Sequence, residues 1–328
     1  MIVVSGAAGF IGSYLLGELE AAGRGPLVAC DWLGTDERWR NIAKRRLWAT
    51  VPPEALAAFL DEHADAITHV IHMGAISATT ERDVDALLER NILSTIRLWD
   101  WCAANGKAFI YASSAATYGA QEGICVDDDS GAALAALRPL NAYGWSKKAV
   151  DDAVTLRAES GAPTPPQWVG LKFFNVYGPN EYHKDDMRSV VSKMYDAWRA
   201  GEPVRLFRSA RPDIADGEQR RDFVYVRDCA RVIGWILDHP EVTGVFNVGS
   251  GRAETFAEMH RSLETALGAE VPLEWVDMPG HLVDRYQYFT QADISRLRAL
   301  GMDVEFATLE QGVEDYVANY LHTEDPYR

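Results

Sequence analysis

Tyr143 and Lys147 stand four positions apart in the stretch Tyr143-Gly-Trp-Ser-Lys147. Residues at this spacing share one face of a helix, so the phenol and the ammonium can reach the same point. A nearby positive charge stabilises phenolate and lowers the pKa of a tyrosine from about 10, which favours acid/base work on a hydroxyl. Ser114, the second of two serines that end a preceding apolar run, adds a hydroxyl that can bind the phenol or a sugar. The alternative is a chance pair of surface side chains.

Three glycines, Gly6, Gly9 and Gly12, follow the first apolar residues of the chain. An apolar strand precedes them and a helical stretch follows them, which is the context of a dinucleotide-binding turn. Glycine allows a tight turn and a close approach to a diphosphate, whose charge is stabilised at the N-terminus of the helix. A glycine-rich turn without a ligand is the alternative.

Asp31 and Arg38, near the end of the second apolar run, indicate which dinucleotide cofactor the turn would bind. Asp31 lies 25 positions after Gly6, about where an acidic residue accepts hydrogen bonds from the adenosine ribose, and this favours NAD. Arg38, followed by the basic residues 44–46, could bind a 2′-phosphate, and this favours NADP. For residues 44–46 a solvated helix face is an equally good interpretation.

Apolar runs alternate with helical patterns through the first half of the chain, at residues 1–4, 26–31, 68–73, 108–113 and 168–173. This alternation predicts βαβ units, and therefore an α/β fold with a doubly wound parallel (Rossmann) sheet. The rhythm weakens after Asn175. We expect a Rossmann domain of residues 1–174 plus 223–251, and a smaller substrate domain of residues 175–222 plus 252–328, with the ligands in the cleft between them.

Composition excludes several classes of protein. The 328 residues carry a formal net charge of −16, which argues against nucleic acid as the main partner because phosphate binding needs clustered lysine and arginine. The strand at residue 1 leaves no room for a signal peptide, and we find no apolar run of the ~18 residues that a membrane span needs. Four scattered cysteines are typical of free thiols in a reducing compartment. We therefore expect a soluble, cytoplasmic protein with no membrane or metal partner.

Ser, Tyr and Lys after a nucleotide-binding βαβ unit resemble the short-chain dehydrogenase/reductase triad. Longer motifs are similar to the extended, nucleotide-sugar epimerase and dehydratase branch: residues 111–119, 141–147, 173–179, 221–226 and 246–251. Within that branch the chain resembles the ADP-glyceromanno-heptose 6-epimerase family, on the evidence of Ser77–Glu81, His183-Lys184, Gly251–Phe256 and Arg285–Asp293. This resemblance runs nearly end to end.

The resemblance implies an activity. Members of that family bind NADP and invert C6 of an ADP-linked heptose by transient oxidation and re-reduction, for the lipopolysaccharide core. Tyr143 would act as acid/base on one epimer and Lys184 on the other, with Ser114 and Lys147 supporting Tyr143. A phosphate-binding or surface lysine is the alternative for Lys184. The cofactor would be NADP, with NAD as the alternative, and the family suggests a homo-oligomer.

The resemblance also implies which residues line the two ligands. Those expected at the cofactor are Gly6, Gly9, Phe10, Ile11, Gly12, Asp31, Trp32, Arg38, Met73, Gly74, Ala75, Ser77, Asn91, Tyr143, Lys147, Val176 and Lys184. Those expected at ADP-heptose or a related nucleotide sugar are Ser77, Ser114, Asn175, Asp186, Lys193, Phe207, Arg208, Ser209, Arg221 and Tyr286. Arg221 is the best candidate for the diphosphate, because a guanidinium binds phosphate oxygens bidentately.

The chain departs from the family pattern at Trp32, where Asn is common, at Met73, where Glu is common, and in a longer loop at residues 209–220. Two alternatives remain. Another epimerase or a dehydratase would share the fold, although a dehydratase should have an Asp-Glu pair where this chain has Ala115-Ala-Thr117. A non-catalytic NAD(P)-sensing protein is the alternative of a different class, which the intact Tyr143 and Lys147 disfavour.

Overall fold

The structure is a computed structural model that describes residues 1–283 and 286–328. Arg285, the first residue of one resemblance motif, lies outside the described residues. The strands are β1 (Ile2–Ser5), β2 (Leu27–Cys30), β3 (Ala49–Val51), β4 (His69–His72), β5 (Ala108–Ser114), β6 (Gly123–Cys125), β7 (Trp168–Phe173), β8 (Asn175–Tyr177), β9 (Val204–Phe207), β10 (Arg220–Tyr225), β11 (Gly244–Val248), β12 (Ala253–Thr255), β13 (Leu273–Val276) and β14 (Phe289–Ala292).

The α-helices are α1 (Phe10–Ala21), α2 (Leu56–Glu62), α3 (Val84–Leu87), α4 (Ser94–Asn105), α5 (Gly131–Ala136), α6 (Ala142–Glu159), α7 (Val190–Ala200), α8 (Val226–Asp238), α9 (Phe256–Leu267), α10 (Gly280–Val283), α11 (Ser295–Ala299) and α12 (Leu309–Tyr316). Short 3-10 helices span Glu37–Asn41, Pro53–Ala55, Ala115–Tyr118 and Tyr182–Met187. Short π-helices span Leu88–Leu93 and Val317–Leu321.

The large sheet has the order β11-β7-β5-β4-β1-β2-β3, and each pair of neighbours is parallel. Starting from β1 the chain winds outward to β2 and β3, then crosses back to β4 and β5 on the other side. This reversal at β1 is the topological switch point beside which dinucleotides bind. The predicted doubly wound Rossmann sheet is confirmed.

Both faces of this sheet are covered, because successive side chains of each strand enter different cores. Val3 belongs to a cluster with residues of α2, α4 and α6, whereas Val4 belongs to a cluster with residues of α1, α8 and α12. A parallel strand that is buried on both faces reads as a continuous apolar run, as β1 does. The strand ends are then the places where polar side chains and backbone groups stay available.

A second sheet has the order β12-β10-β14-β6, with β8 also paired to β10. A separate parallel pair is formed by β9 and β13. The chain returns to the large sheet at β11, which pairs with β7. The domain boundaries given above stay a prediction, and β10 crosses the boundary expected between residues 222 and 223.

Two absences hold for residues 1–283 and 286–328. None of their helices has the length and apolar content needed to span a bilayer. They contain no group of three or more His, Cys, Asp or Glu side chains that could hold a metal ion. The four cysteines are buried and unpaired.

Asp222 joins the second sheet to the large one. Its buried carboxylate accepts hydrogen bonds from the Ser250 backbone N–H (2.6 Å) and hydroxyl (2.8 Å), and from the N–H groups of Gly251 (3.0 Å) and Ala292 (3.0 Å). Burial outweighs these bonds and raises the pKa of Asp222 to about 6. Asp222 therefore fixes β10, which carries Arg221, against the turn after β11 and the end of β14.

We expect Asp222→Ala to lower the free energy of unfolding by about 3 kcal/mol, because it leaves several buried N–H groups unpaired. Urea denaturation measures this, with the exposed Asp303→Ala as control, for which the change should be under about 0.5 kcal/mol. The wild type should also lose stability as the pH rises from about 4 to about 6, since the folded state holds the Asp222 proton more tightly than the unfolded state. This pH dependence should be missing from Asp222→Ala. Equal free energies of unfolding for Asp222→Ala and Asp303→Ala would contradict the role of Asp222 in joining the two sheets.

Candidate active site

The triad is assembled where α6 packs against the end of β5. Asn141 caps α6 by accepting a hydrogen bond from the Gly144 N–H (2.8 Å). A Cβ at position 144 would stand 2.6 Å from the Ala116 carbonyl oxygen, so only glycine allows α6 to approach the turn after β5 this closely. This approach brings the Tyr143 phenol near the Ser114 side chain, which acts on the pKa of the phenol.

Burial decides the protonation of Tyr143. Burial raises the pKa of the phenol above its usual value, and the nearby Ser114 side chain offsets part of that shift. The expectation of a lowered pKa is therefore wrong for this structure. The physical reason is that removal of water around the phenol disfavours the charged phenolate. Nζ of Lys147 donates a hydrogen bond to the Ala112 carbonyl oxygen (2.8 Å), on β5. Burial also lowers the pKa of Lys147, to about 8, against the opposing charge of Asp151.

Lys184 lies on the short helix Tyr182–Met187, with its Nζ 5.3 Å from the centre of the Phe10 ring at the start of α1. Burial lowers the pKa of Lys184, and the neighbouring Glu181 opposes that shift. Glu181 is itself buried and accepts hydrogen bonds from the Ser189 hydroxyl (2.6 Å) and the Tyr316 hydroxyl (3.2 Å). Lys184 is therefore a partly desolvated amine beside the glycine-rich turn.

Asn41 ties the segment of Lys184 to that turn. Its Nδ2 lies 2.8 Å from the Ala8 carbonyl oxygen, 3.1 Å from that of Asn180 and 3.2 Å from Nδ1 of His183. The side chain is fully enclosed and its Oδ1 has no partner among the described residues. Asn180, which precedes the helix of Lys184, is held at a positive φ of 74°.

The glycine-rich turn fits a dinucleotide. Gly6 has a φ of 68°, and a Cβ there would stand 2.3 Å from the Gly74 nitrogen. At Gly12 a Cβ would stand 2.2 Å from the Gly6 carbonyl oxygen. The turn and the start of α1 at Phe10 and Ile11 therefore form a backbone cradle of the kind that binds a diphosphate at a helix N-terminus.

Asp31 supports the cradle from the end of β2. Its Oδ2 accepts a hydrogen bond from the Ala8 N–H and its Oδ1 one from the Trp32 N–H, both at 2.8 Å. Burial raises the pKa of Asp31, partly offset by these bonds and by Arg38. The Arg38 guanidinium forms a fork with Asp36, with Nε 2.9 Å from Oδ1 and Nη2 2.7 Å from Oδ2. Asp31 and Arg38 thus lie close enough for their charges to interact, and their roles at the ribose stay a prediction.

Trp32, where the family pattern has Asn, is 44% exposed. Its Nε1 donates to Glu54 (2.5 Å), and the Arg90 guanidinium lies 4.9 Å from the ring centre. An aromatic ring therefore lies directly after Asp31 at the rim of the site.

The segment from Met73 to Ser77, which includes Gly74 and Ala75, follows β4. Asn91 anchors it: Oδ1 accepts from the Ile76 N–H (2.8 Å), and Nδ2 donates to the Ile76 carbonyl (3.0 Å) and to the Ser146 hydroxyl (2.9 Å). Because Ser146 precedes Lys147, Asn91 links this segment to the triad helix. The predicted cofactor residues at 73–77 and 91 therefore adjoin both the glycine-rich turn and α6.

On the substrate side, Arg221 is brought to two aromatic rings. Its guanidinium lies 5.0 Å from the ring of Tyr286 and 5.9 Å from that of Phe256, and the rings of Phe207 and Tyr286 are 6.5 Å apart. Burial lowers the pKa of Arg221, although a guanidinium stays charged. The predicted residues Arg221, Phe207 and Tyr286 therefore form one group, in which the cation is desolvated.

The other predicted substrate residues have separate partners. Arg208 pairs with Asp216 (3.3 Å) and Asp277 (3.6 Å), and the Ser209 N–H donates to Asp216 (2.8 Å). The Lys193 ammonium donates to the backbone carbonyl of Asp186, whose side chain is exposed. Asn175 donates to the Asp222 carbonyl (3.2 Å), next to Val176 on β8.

Three contact residues were missed by sequence reasoning: Asn41, Asp151 and Glu181. Asp151 carried a usable signal, because it follows Lys147 by one helical turn and so shares its face of α6. Asn41 and Glu181 carried no such signal. Each lies at one end of a short 3-10 helix, and its contacts are with parts of the chain that are distant in sequence.

The switch-point turn, with a serine, a tyrosine and a lysine at the adjoining strand and helix, defines a nicotinamide-dinucleotide-binding protein of the Rossmann class. The chain belongs to the NAD dependent epimerase/dehydratase family, whose model matches residues 2–249. The resemblance stated from the sequence is thereby confirmed.

Three comparisons refine this assignment. The chain is 44% identical over 332 positions, covering 100% of both, to the ADP-L-glycero-D-manno-heptose-6-epimerase of Nitratidesulfovibrio vulgaris (strain DP4). It is similar to the crystal structure of the Helicobacter pylori ADP-L-glycero-D-manno-heptose-6-epimerase (TM-score 0.80, 26% identity, 97% of this chain and 95% of that one). It is also similar to the UDP-glucose 4-epimerase of Thermus thermophilus in complex with NAD (TM-score 0.74, 26% identity, 96% and 97%).

We expect Gly6→Ala to weaken cofactor binding about tenfold or more, because the added Cβ would push the turn away from Gly74 at a cost of about 1–3 kcal/mol. The matched control is Gly23→Ala. Gly23 has nearly the same φ (66°), but no atom lies within 4 Å of the position its Cβ would take, so it reports backbone strain alone. Fluorescence titration with NADPH and NADH measures both dissociation constants; equal effects of the two variants would refute the cradle.

Proposed function

We propose that the protein is an ADP-L-glycero-D-manno-heptose 6-epimerase, an isomerase that inverts C6 of an ADP-linked heptose. The observation that carries this proposal is the full-length 44% identity to a relative of that name, in a chain that keeps Tyr143, Lys147, Ser114 and Lys184. Cytoplasmic location and homo-oligomeric assembly remain predictions.

The residues present fit a bound nicotinamide dinucleotide. The glycine-rich turn would hold its diphosphate, Asp31 its adenosine ribose, and Lys147 and Tyr143 the region nearest the chemistry. When bound, this cofactor supplies reversible oxidation and reduction of the substrate carbon. The protein's own task is to orient the sugar and to move the proton of the C6 hydroxyl.

Two acid/base groups support inversion at one carbon, because one can donate a proton and the other can accept one. Burial favours the neutral phenol of Tyr143, which can donate a proton, and the neutral amine of Lys184, which can accept one. The two epimers present their C6 hydroxyls differently, so we infer that Tyr143 serves one epimer and Lys184 the other. Ser114, whose side chain acts on the pKa of the Tyr143 phenol, would support that proton transfer.

Arg221 would hold the diphosphate of the nucleotide sugar. A desolvated guanidinium between two aromatic rings keeps its charge and its bidentate geometry, which match phosphate oxygens. The neighbouring loop at residues 208–216, with Arg208 and Ser209, would close the nucleotide side of the cleft.

The primary test is an NMR assay of the purified protein with ADP-D-glycero-D-manno-heptose and no added cofactor. Appearance of the L-glycero epimer would support both C6 inversion and a retained cofactor. Absence of turnover after NADP or NAD is supplied would reject the heptose assignment and favour another nucleotide sugar or a non-catalytic NAD(P)-sensing role. A 4,6-dehydratase is disfavoured, since residues 115–118 form a helical turn without a carboxylate.

Tyr143→Phe and Lys184→Met should each lower kcat for epimerisation by about 100-fold or more, because each removes a proton-transfer group. The NADPH dissociation constant should stay close to that of the wild type. Lys107→Met is the control. Lys107 lies at the amino end of β5, whereas Ser114 lies at the carboxyl end of the same strand. A near-normal rate in either variant would remove that residue from the mechanism.

We infer a preference for NADP through Arg38, which Asp36 moderates. Arg38→Ala should lower the affinity for NADP relative to NAD by about tenfold, as a lost charge-assisted phosphate contact does. Asp36→Ala should shift the ratio in the opposite direction, because it frees the guanidinium from its fork. Dissociation constants for both cofactors test this; an unchanged ratio in both variants contradicts the assignment.

A further inference from the structure

Residues 325–328, which we call the docked segment, lie against the short helix that carries Lys184, and the proposed function does not use them. The Tyr182 hydroxyl, at the first residue of that helix, donates a hydrogen bond to the Pro326 carbonyl oxygen (2.9 Å). The rings of Tyr182 and Tyr327 meet edge to face, with their centres 5.3 Å apart. Tyr327 is buried, so this contact is enclosed by the protein. The docked segment is therefore packed against the helix of Lys184.

The docked segment also contacts a second short helix, Glu37–Asn41. The Arg40 guanidinium lies 4.6 Å from the centre of the Tyr327 ring. Just after that helix, the Lys44 ammonium pairs with Asp325 (2.8 Å) and donates to the Tyr327 carbonyl oxygen (2.5 Å). Tyr327 therefore contacts both short helices, through its ring and its backbone.

Arg328 attaches the docked segment to α1, the helix that follows the glycine-rich turn. The Arg328 guanidinium lies 4.7 Å from the centre of the Tyr14 ring on α1. The Arg328 backbone N–H donates to Oδ1 of Asn180 (3.0 Å), and Nδ2 of Asn180 donates in turn to the Ser13 hydroxyl on α1 (3.0 Å). The docked segment is thus connected to α1 both directly and through the residue that precedes the helix of Lys184.

These contacts matter because a 3-10 helix of five or six residues is not stable by itself. Its hydrogen-bond geometry is poor, so its position comes from the packing around it. Asn180 is in addition held at a φ of 74°, a conformation that a residue with a side chain keeps only when its surroundings maintain it. The hydrogen bonds of Asn180 with Arg328 and with Asn41 supply such surroundings.

Two basic residues that follow Arg38 are occupied by contacts within the protein. Lys44 pairs with Asp325 in the docked segment, and Arg45 pairs with Glu20 on α1 (2.8 Å). Arg38 therefore stays the candidate for the 2′-phosphate of NADP. The position of Arg38 depends on a short helix that the docked segment contacts from outside.

We propose that Tyr327, at the centre of the docked segment, is a positioning residue that holds the helix of Arg38 and the helix of Lys184 in one arrangement against α1. It thereby sets the affinity for the phosphate end of NADP(H) and places the Lys184 amine. The inference rests on the proposed roles of Arg38 and Lys184. Loss of the Tyr327 ring should loosen both helices together, whereas loss of a ligand-binding side chain would leave them in place.

The test is Tyr327→Ala in the full chain, measured by hydrogen exchange of the backbone amides and by fluorescence titration with NADPH and NADH. Without added cofactor, exchange at residues 37–41 and 182–187 should become about tenfold faster or more, since both helices lose a packing partner. The affinity for NADPH should fall by about tenfold and that for NADH by less, because the Arg38 guanidinium is no longer held in place. Exchange needs no substrate, so its result is separate from the heptose assay.

Tyr327→Phe should restore the wild-type exchange and affinities, because it keeps the ring that contacts Tyr182 and Arg40. Trp101→Ala is the matched control. Trp101 also contributes a partly buried ring, packs against the core on the other face of the large sheet, and donates a hydrogen bond to Asp61 (2.7 Å). Its loss should change neither the exchange of the two short helices nor the ratio of the two affinities.

Lys44→Met keeps the test decisive if Tyr327→Ala fails to fold, because the Lys44 side chain is 42% exposed and its removal costs only the contacts with Asp325 and Tyr327. This variant should also speed exchange at residues 182–187, which loss of a lysine that only binds a cofactor phosphate would not do.

Unchanged exchange at residues 182–187 in both Tyr327→Ala and Lys44→Met would overturn the proposal. Equal loss of NADPH affinity in Tyr327→Phe and Tyr327→Ala would overturn it as well, since the ring would then not be what positions the helices. Faster exchange with an unchanged ratio of NADPH to NADH affinity would show that the docked segment does not act on the cofactor through Arg38.

Discussion

Desolvation is the constraint on which the chemistry of this cleft depends. The same removal of water raises the pKa of Tyr143 and lowers the pKa values of Lys147 and Lys184. A low-dielectric site makes each remaining charge act strongly on its neighbours. Asp151 and Glu181 accordingly offset part of the shifts of Lys147 and Lys184. The acid/base character of the site is therefore a property of its burial as much as of its residue types.

Polar side chains that serve as connectors hold the cleft together. Asn41 links the turn at Ala8 to the segment of Lys184, and Asn91 links Ile76, in the segment after β4, to α6. Asp222 does the same between the two sheets. Each uses several donors or acceptors of one buried group, so parts of the chain far apart in sequence meet with their backbone bonds satisfied. The glycine-rich turn, the segment of Lys184, α6 and the strand that carries Arg221 are thereby fixed to one framework.

Much of the site could be predicted because its signals are local. Gly6 and Gly12 follow a strand and open a helix, and Tyr143 and Lys147 share a helical face, so neighbours in sequence stay neighbours in space. The parallel sheet follows equally from the alternation of apolar strands and helices. The pKa of Tyr143 could not be predicted in this way, because it depends on how completely the packing of α6 on the turn at Ala116 excludes water from the phenol.

The sequence by itself determined the Rossmann sheet, the dinucleotide-binding turn and the Ser-Tyr-Lys constellation, since each rests on periodicity or short spacing. Only the tertiary structure decided that Asp151 lies 4.0 Å from Lys172, that Asn41 reaches both Ala8 and His183, and that Arg221 meets Tyr286. These contacts join residues from different strands, helices and turns. Their geometry and the loss of water around them arise only when the separate elements pack together.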